Sequence, residues 1–410
     1  MRPGRAAGER PPASGRSRGS GQRVNDPAFD LARACAAWPP SSHGDRAIVA
    51  AARLVDWPGF LAVARRHRIT ALAWTALVRT GVAPPPEVAG ALSEAADQAA
   101  RREGLMALES ARLQHLLDRA GLANQVLKGA TLSALAYGRD GVKQSLDIDL
   151  LVLPEDVSAA SEALTKAGYV RIAPSPDLDP ARLAVAIALT REAVFRRPQD
   201  GLLVELQWRA DINPLWLPGV DARSASQTAR LPGWPPLRTL GPEALYPYLC
   251  AHGARHGFMR LKWLADIVAL LHRAGPEDLD RLHAHAVTLG VGRASALSLR
   301  LGQRVLGLSI PDELDQRLPR VRWLVALCLD LIAGAGAREA ETRPLHLYRL
   351  ALLQLLLNNR GDQLVAELKL RLVSPRDRIA LALPPWASLA YPLLRLPLFL
   401  ARRFAALRAR

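Results

Sequence analysis

Cysteine is nearly missing from this chain of 410 residues, and lysine is scarce. Cys35, Cys250 and Cys328 lie far apart and form no C-x-x-C pair. That excludes a zinc ribbon or a disulfide framework and predicts a reduced, cytoplasmic setting. Only Lys128, Lys143, Lys166, Lys262 and Lys369 carry an ammonium; the remaining basic residues are arginines. Long apolar runs are also absent. The longest uncharged stretch, Ile379 to Leu394, is broken by Pro384, Pro385 and Pro392, so no transmembrane segment is expected. The first 25 residues contain no apolar stretch of the kind a secretory signal requires. There is no phosphate-binding loop of the G-x-x-x-x-G-K type, no dinucleotide fingerprint and no Ser/His/Asp nucleophile arrangement. Aromatic residues interleaved with basic ones are lacking too, so RNA binding rests on charge alone.

What is present is helix-forming and basic. Half the residues are hydrophobic and the net charge is +16. Residues 1–25 hold six Arg and one Glu, so five of those charges sit in the amino-terminal tail. Such a balance suits anionic partners: a nucleotide, RNA or a membrane face. A second basic stretch, with Phe399, Arg402, Arg403, Phe404, Leu407 and Arg408, reads as a short amphipathic helix that either packs on the body or lies on a membrane surface.

Periodicity divides the chain. Residues 1–28 read as a disordered basic tail, 29–120 as an N-terminal helical region, 121–215 as an α/β core, 216–378 as a C-terminal helical domain and 379–410 as a Pro/Leu/Arg-rich basic tail. The expected class is α+β: a small mixed-sheet core flanked by N- and C-terminal helical regions. Within the first helical region a helix is predicted from about Val88 to Ala120, with an apolar stripe of Leu105, Leu108, Leu113, Leu116 and Leu117. In the core, Gln125 to Lys128 predicts a strand, Ala130 to Tyr137 a short helix, Leu146 to Leu153 a strand, Pro154 to Ala167 a helix and Leu202 to Trp208 a strand.

The chemistry concentrates in that core. Residues two apart on a strand share a face, so Asp147 and Asp149 project together while Ile148, Leu150 and Val152 face the opposite side. Two adjacent carboxylates repel unless a cation lies between them. Hard oxygen ligands suit Mg²⁺ (or Mn²⁺), and Glu205 on the later strand supplies a third acid if the two strands are neighbours. Lys128-Gly129, at the end of a strand, reads as a phosphate cradle, with Lys143 as a second phosphate contact. His252 and His256 are four apart and share a helix face; the spacing is open to substrate contact, helix packing or, without a third ligand in view, zinc. Lys262 and Asp266 have the spacing of a helical ion pair and are also candidates for substrate contact. Trp263 reads as core.

These residues carry a resemblance. The run Val126-Leu127-Lys128-Gly129-Ala130, then Tyr137-Gly138, Gly141-Val142-Lys143 and Asp147-Ile148-Asp149-Leu150-Leu151-Val152 resembles an uncharacterised bacterial nucleotidyltransferase family of the polymerase-beta-like superfamily. The likeness continues at Ala64-Arg65-Arg66-His67-Arg68-Ile69, Val204 to Arg209, His252 to His256 and Leu261 to Ile267, and spans roughly 45–275. It implies a minimal nucleotidyltransferase core with Mg²⁺ on Asp147, Asp149 and the third acid, Glu205; on the reading of the residues themselves, Lys128, Gly129 and Lys143 are expected to hold a nucleoside triphosphate such as ATP, and His252, His256, Lys262 and Asp266 to contact the substrate. The acceptor stays open among small molecules, peptides, saccharides and RNA. Departures exist: where the wider superfamily shows Asp followed two residues later by His, this chain has Glu205 and Gln207, and Lys143 stands where Arg is usual. The alternative is a catalytically inactive protein that binds a nucleotide or partner and contacts membrane or RNA through its basic tails; a transferase toxin acting on transfer RNA is suggested by charge only.

Overall fold

The computed structural model describes residues 26–333 and 344–372, with isolated positions beyond. Residues 1–25 and the Phe399 to Arg408 stretch lie outside the described residues. Four helices come first: α1 (Pro27–Ala36), α2 (Ser42–Ala52), α3 (Trp57–Arg66) and α4 (Thr70–Thr80). Asp26, Ser41 and Asp56 cap the first three, each side chain accepting from a first-turn N–H that has no partner within the helix. The long helix α5 (Pro86–Arg119) follows. Its buried row is Leu92, Ala99, Glu103, Met106, Ser110, Leu113 and Leu117. Leu105 and Leu108 do not belong to it; both are exposed, because the 3.6-residue period that buries Met106 and Leu113 turns them outward.

The sheet has five strands among the described residues: β1 (Asn124–Val126), β2 (Asp147–Val152), β3 (Val170–Ala173), β4 (Glu192–Arg196) and β5 (Leu203–Gln207). Their spatial order is β1-β2-β5-β4-β3. β2 and β5 run parallel, and every other pair is antiparallel. This is the mixed sheet the sequence predicts, with two strands it does not reveal. β3 is a mostly exposed edge strand held by backbone pairing, so it shows little apolar alternation. β4 alternates over only five residues and is framed by Arg191 and Arg196. The first strand is also shorter than expected, ending at Val126 rather than Lys128.

β2 is buried on both faces, and this places the site. Ile148, Leu150 and Val152 pack with Val204 and Leu206 against Met106, Leu113 and Leu117 of α5 and against α7 (Val157–Lys166), which follows the single-turn α6 (Ala130–Leu132). Each such buried Leu, Ile or Val contributes about 1.5–3 kcal/mol. On the other face Leu151, with Leu127, joins a second core. That core unites the N-terminal helices with α9 (Pro242–Arg255), α10 (Leu261–Ala274), α11 (Pro276–Thr288) and α12 (Gly292–Leu306), which follow α8 (Pro180–Leu189) and the hairpin β6 (Ser226–Ala229) and β7 (Leu237–Leu240). Asp147 and Asp149 share the face of Leu151, so they point toward α9 and α10. Helices α13 (Asp312–Arg317), α14 (Arg322–Ala333), α15 (Pro344–Leu356) and α16 (Gly361–Leu372) complete the described fold. Among the described residues no helix is long and apolar enough to cross a membrane.

Candidate active site

The floor of the site is the β2–β5 pair. Its register sets Asp149 directly beside Glu205, with Asp147 two residues back on the same face. Asp149 is fully buried, whereas Asp147 and Glu205 are partly exposed. The two oxygens of Asp149 have different fates. Oδ1 lies 2.9 Å from the Lys128 ammonium and accepts the Gln207 amide at 2.8 Å. The same Gln207 nitrogen donates to Glu205 Oε2 at 3.3 Å, so one amide ties the two acids together. Oδ2 is buried and receives no hydrogen bond from the described residues. Burial pushes the Asp149 carboxyl well above the ordinary carboxylate range; Lys128 opposes this, and Asp147 and Glu205 add to it. Burial disfavours the Lys128 ammonium, but Asp149, Asp147 and Glu205 outweigh burial and hold its pKa above the usual lysine value.

A buried carboxylate oxygen without a hydrogen bond is costly and calls for a ligand. Three acids on one face supply hard oxygens, the donor chemistry of a divalent cation such as Mg²⁺. Asp149 and Glu205 are adjacent, but among the described residues no three His, Cys, Asp or Glu side chains are placed to hold a metal ion jointly. The cation standing against Asp149 is the ammonium of Lys128.

Lys128 leads into Gly129, whose φ of 79° lies in the region that favours glycine. A side chain there would meet nothing closer than Ser145 Oγ at 3.6 Å, so the backbone conformation, rather than crowding, requires the glycine. The expected helix from Ala130 to Tyr137 is a single α turn, α6, passing into a π turn over Ser133–Tyr137. So short an α turn has little dipole to offer a phosphate; the charge of Lys128 matters more.

The opposite wall comes from α9 and α10. The neutral His67 imidazole, its pKa lowered to about 3 by burial and by Arg66 and Arg260, accepts the Leu261 N–H at 3.0 Å through Nδ1. The His67 carbonyl accepts from the Lys262 N–H at 3.4 Å. The segment after α3 thereby caps α10 and sets the position of Lys262. Lys262 does not pair with Asp266, as their spacing suggests. Asp266 is taken by Lys143 in a buried ion pair and by the Tyr137 hydroxyl at 2.9 Å. Tertiary packing brings Lys143 closer than the helical neighbour, and Lys262 reaches the Gln144 carbonyl at 3.4 Å. Burial and the cations Lys143, Arg68 and Lys128 lower the Lys262 pKa to about 7, against the pull of Asp266.

His252 and His256 share a helix face, as their spacing predicts, with ring centroids 4.9 Å apart. His256 stacks on Trp263 at 4.9 Å, and His252 meets the same indole edge-on at 5.7 Å. Burial drives both imidazoles toward the neutral form, His256 to about 3, and Lys128 and Arg191 add to the effect. No third zinc ligand joins them among the described residues.

The cleft between floor and wall brings together eight of the ten predicted residues: Lys128, Gly129, Lys143, Asp147, Asp149, His252, Lys262 and Asp266. Trp263 lines it too, and so is not solely core. Glu205 and His256 are not in its lining; Glu205 adjoins it through Asp149 and Gln207. The cleft is narrow, with about 30 Å³ of accessible volume. A larger cavity of about 720 Å³ between α1, α2 and the ends of α10 and α12 contains none of the ten. Three neighbours of the acids escaped the sequence reading as site residues. Gln207 has a legible signal, since it lies two residues beyond Glu205 on one strand. Tyr248 has one as well, four residues before His252; its buried hydroxyl lacks a partner, and Asp149, Lys128 and Glu205 all act on it. Arg191, whose Nη1 donates to Gln207 Oε1 at 3.4 Å, has none, because the five residues of β4 beside it alternate too briefly to mark a strand.

No curated protein and no solved structure matches the chain. A family model does, over residues 53–307, more than half of the chain; its description is "Uncharacterised nucleotidyltransferase". The match begins in the helices that cap α10, includes the whole acid-lined sheet and ends just past α12. The chain belongs to this uncharacterised nucleotidyltransferase family.

Proposed function

We propose that this nucleotidyltransferase moves a nucleoside monophosphate from a nucleoside triphosphate to an acceptor hydroxyl or phosphate, and that it does so with Mg²⁺ or Mn²⁺ held by Asp147, Asp149 and Glu205. The observation that carries this reading is the side-by-side placement of Asp149 and Glu205 across parallel strands, with Asp149 Oδ2 buried and unpartnered. Asp147, Asp149 and Glu205 would hold the ion, which would supply Lewis acidity to an acceptor hydroxyl and positive charge to a leaving pyrophosphate. The chain's own groups do the rest. Lys128 and Lys262 face the cleft and would balance charge on the triphosphate, while Lys143 lines the cleft paired with Asp266. Gly129 lets the backbone approach the phosphates closely. Neutral His252 offers a hydrogen bond without adding charge, and the Trp263 indole forms an apolar side of the cleft.

A second reading, nucleotide binding without transfer, has one observation in its favour: Lys128 already supplies a positive charge to Asp149. One experiment separates the two. The protein is incubated with each nucleoside triphosphate labelled at the α-phosphate, Mg²⁺ or Mn²⁺ and cell extract, alongside Asp149→Asn. Label transfer is expected, reduced on the order of 10²–10³-fold in the variant, the range seen when one charge-stabilising group is lost. Metal-dependent nucleotide binding without transfer would establish the second reading. Neither binding nor transfer would sink both.

A further inference from the structure

The geometry points to Lys128 as a built-in counter-ion that occupies Asp149 until a divalent metal and a triphosphate arrive together. This rests on the metal and triphosphate assignments proposed above. The first observation is the asymmetry of Asp149: the ammonium and the Gln207 amide both engage Oδ1, while Oδ2 is left buried and bare. An ammonium 2.9 Å from one oxygen of a carboxylate is a close like-charge neighbour of any cation that binds the other oxygen. The second observation is that the three acids are not gathered as a metal-binding set among the described residues. With one positive charge already among them, the acids have less pull on a second cation.

The third observation is where Lys128 sits in the chain. It adjoins Gly129, whose φ is positive, and it lines the same cleft as Lys143 and Lys262. A short pivot of its flexible stem moves the ammonium from the carboxylate toward phosphate oxygens in that cleft. Metal alone would have to enter against Lys128. Triphosphate alone would draw Lys128 away and leave the acids uncompensated. Arriving together, they exchange partners: the phosphates take the ammonium and the acids take the metal. The consequence is that metal and nucleotide each strengthen the other's binding, with one lysine as the link.

The test is Mn²⁺ binding to the full chain, followed by electron paramagnetic resonance, with and without an α,β-methylene nucleoside triphosphate. Wild type, Lys128→Gln and Lys128→Arg are compared, with Lys128→Met as the alternative neutral variant if the glutamine form does not fold. The neutral variant is expected to bind Mn²⁺ alone about tenfold or more tighter than wild type, as removal of a close like charge predicts, and to bind the nucleotide analogue more weakly. Lys128→Arg keeps the charge and is expected to remain near wild type toward Mn²⁺ alone. A neutral variant with unchanged or weaker affinity for Mn²⁺ alone overturns the counter-ion role, and leaves the proposed function standing if the analogue still raises Mn²⁺ affinity in wild type. Absence of Mn²⁺ binding in every form, with the analogue present, overturns both this inference and the assignment beneath it.

Discussion

Two buried lysine–aspartate pairs face each other across the same cleft, and they are built differently. Lys143 and Asp266 are each only 6% exposed, and both oxygens of Asp266 are used, one by Lys143 and one by Tyr137. This pair joins the loop before β2 to α10. In the Lys128–Asp149 pair the lysine side chain is 19% exposed, and one carboxylate oxygen has no partner. The first pair is complete and closes the fold; the second is incomplete and leaves bonding capacity for a ligand. A buried ion pair is thus a joint or a site according to whether its valences are filled.

Substitutions sharpen that contrast. The largest effect on stability is expected from Asp266→Asn, which leaves the Lys143 ammonium buried without its paired carboxylate and costs about 3–5 kcal/mol. Urea denaturation checks it, with Asp149→Asn as the counterpart. That variant removes a buried charge already repelled by Asp147 and Glu205, and its loss is expected to stay within about 1 kcal/mol, inside the common range for single substitutions. Equal losses in the two variants would erase the distinction between joint and site.

A smaller effect is expected from Gln207→Leu. The amide aligns Asp149 with Glu205, and loss of such a supporting hydrogen bond lowers metal affinity by about 10–100-fold. Mn²⁺ titration in the presence of nucleotide measures it; an unchanged affinity would mean the acids orient themselves. A further effect, of comparable size, concerns Lys262, whose pKa falls from 10.5 to about 7 on folding. Between those values the unfolded chain holds a proton that the folded chain has released, so stability rises with pH across that window, by at most about 1.4 kcal/mol per pH unit. Lys262→Met is expected to remove this rise, seen by denaturation at pH 7 and pH 9. A variant with the wild-type slope would show that Lys262 keeps its ordinary affinity for protons.

Legibility in the sequence followed the reach of each interaction. The two-residue period of a strand disclosed the shared face of Asp147 and Asp149 and the burial of Ile148 and Leu150, because that alternation depends on the backbone alone. Gly129 was legible for a similar local reason, as a residue free to adopt positive φ. The periodicity of α5 is legible, but the exposure of Leu105 and Leu108 is not, since periodicity gives a stripe and not its rotation against a particular sheet. β3 and β4 were missed, and Arg191 with them, because an edge strand and a short neighbour gain order from pairing that sequence does not display.

The sequence by itself determined the parts: an acid-bearing strand, a glycine turn behind a lysine, a histidine-bearing helix and an α+β division of the chain. Tertiary structure decided the partnerships. It set Glu205 beside Asp149 through the parallel β2–β5 register, gave Asp266 to Lys143 in place of Lys262, and placed Lys128 on one oxygen of Asp149 while leaving the other bare. The physical reason is range: backbone periodicity acts over a few residues, whereas the choice among competing charges is made by whichever group long-range packing brings nearest in a low-dielectric interior.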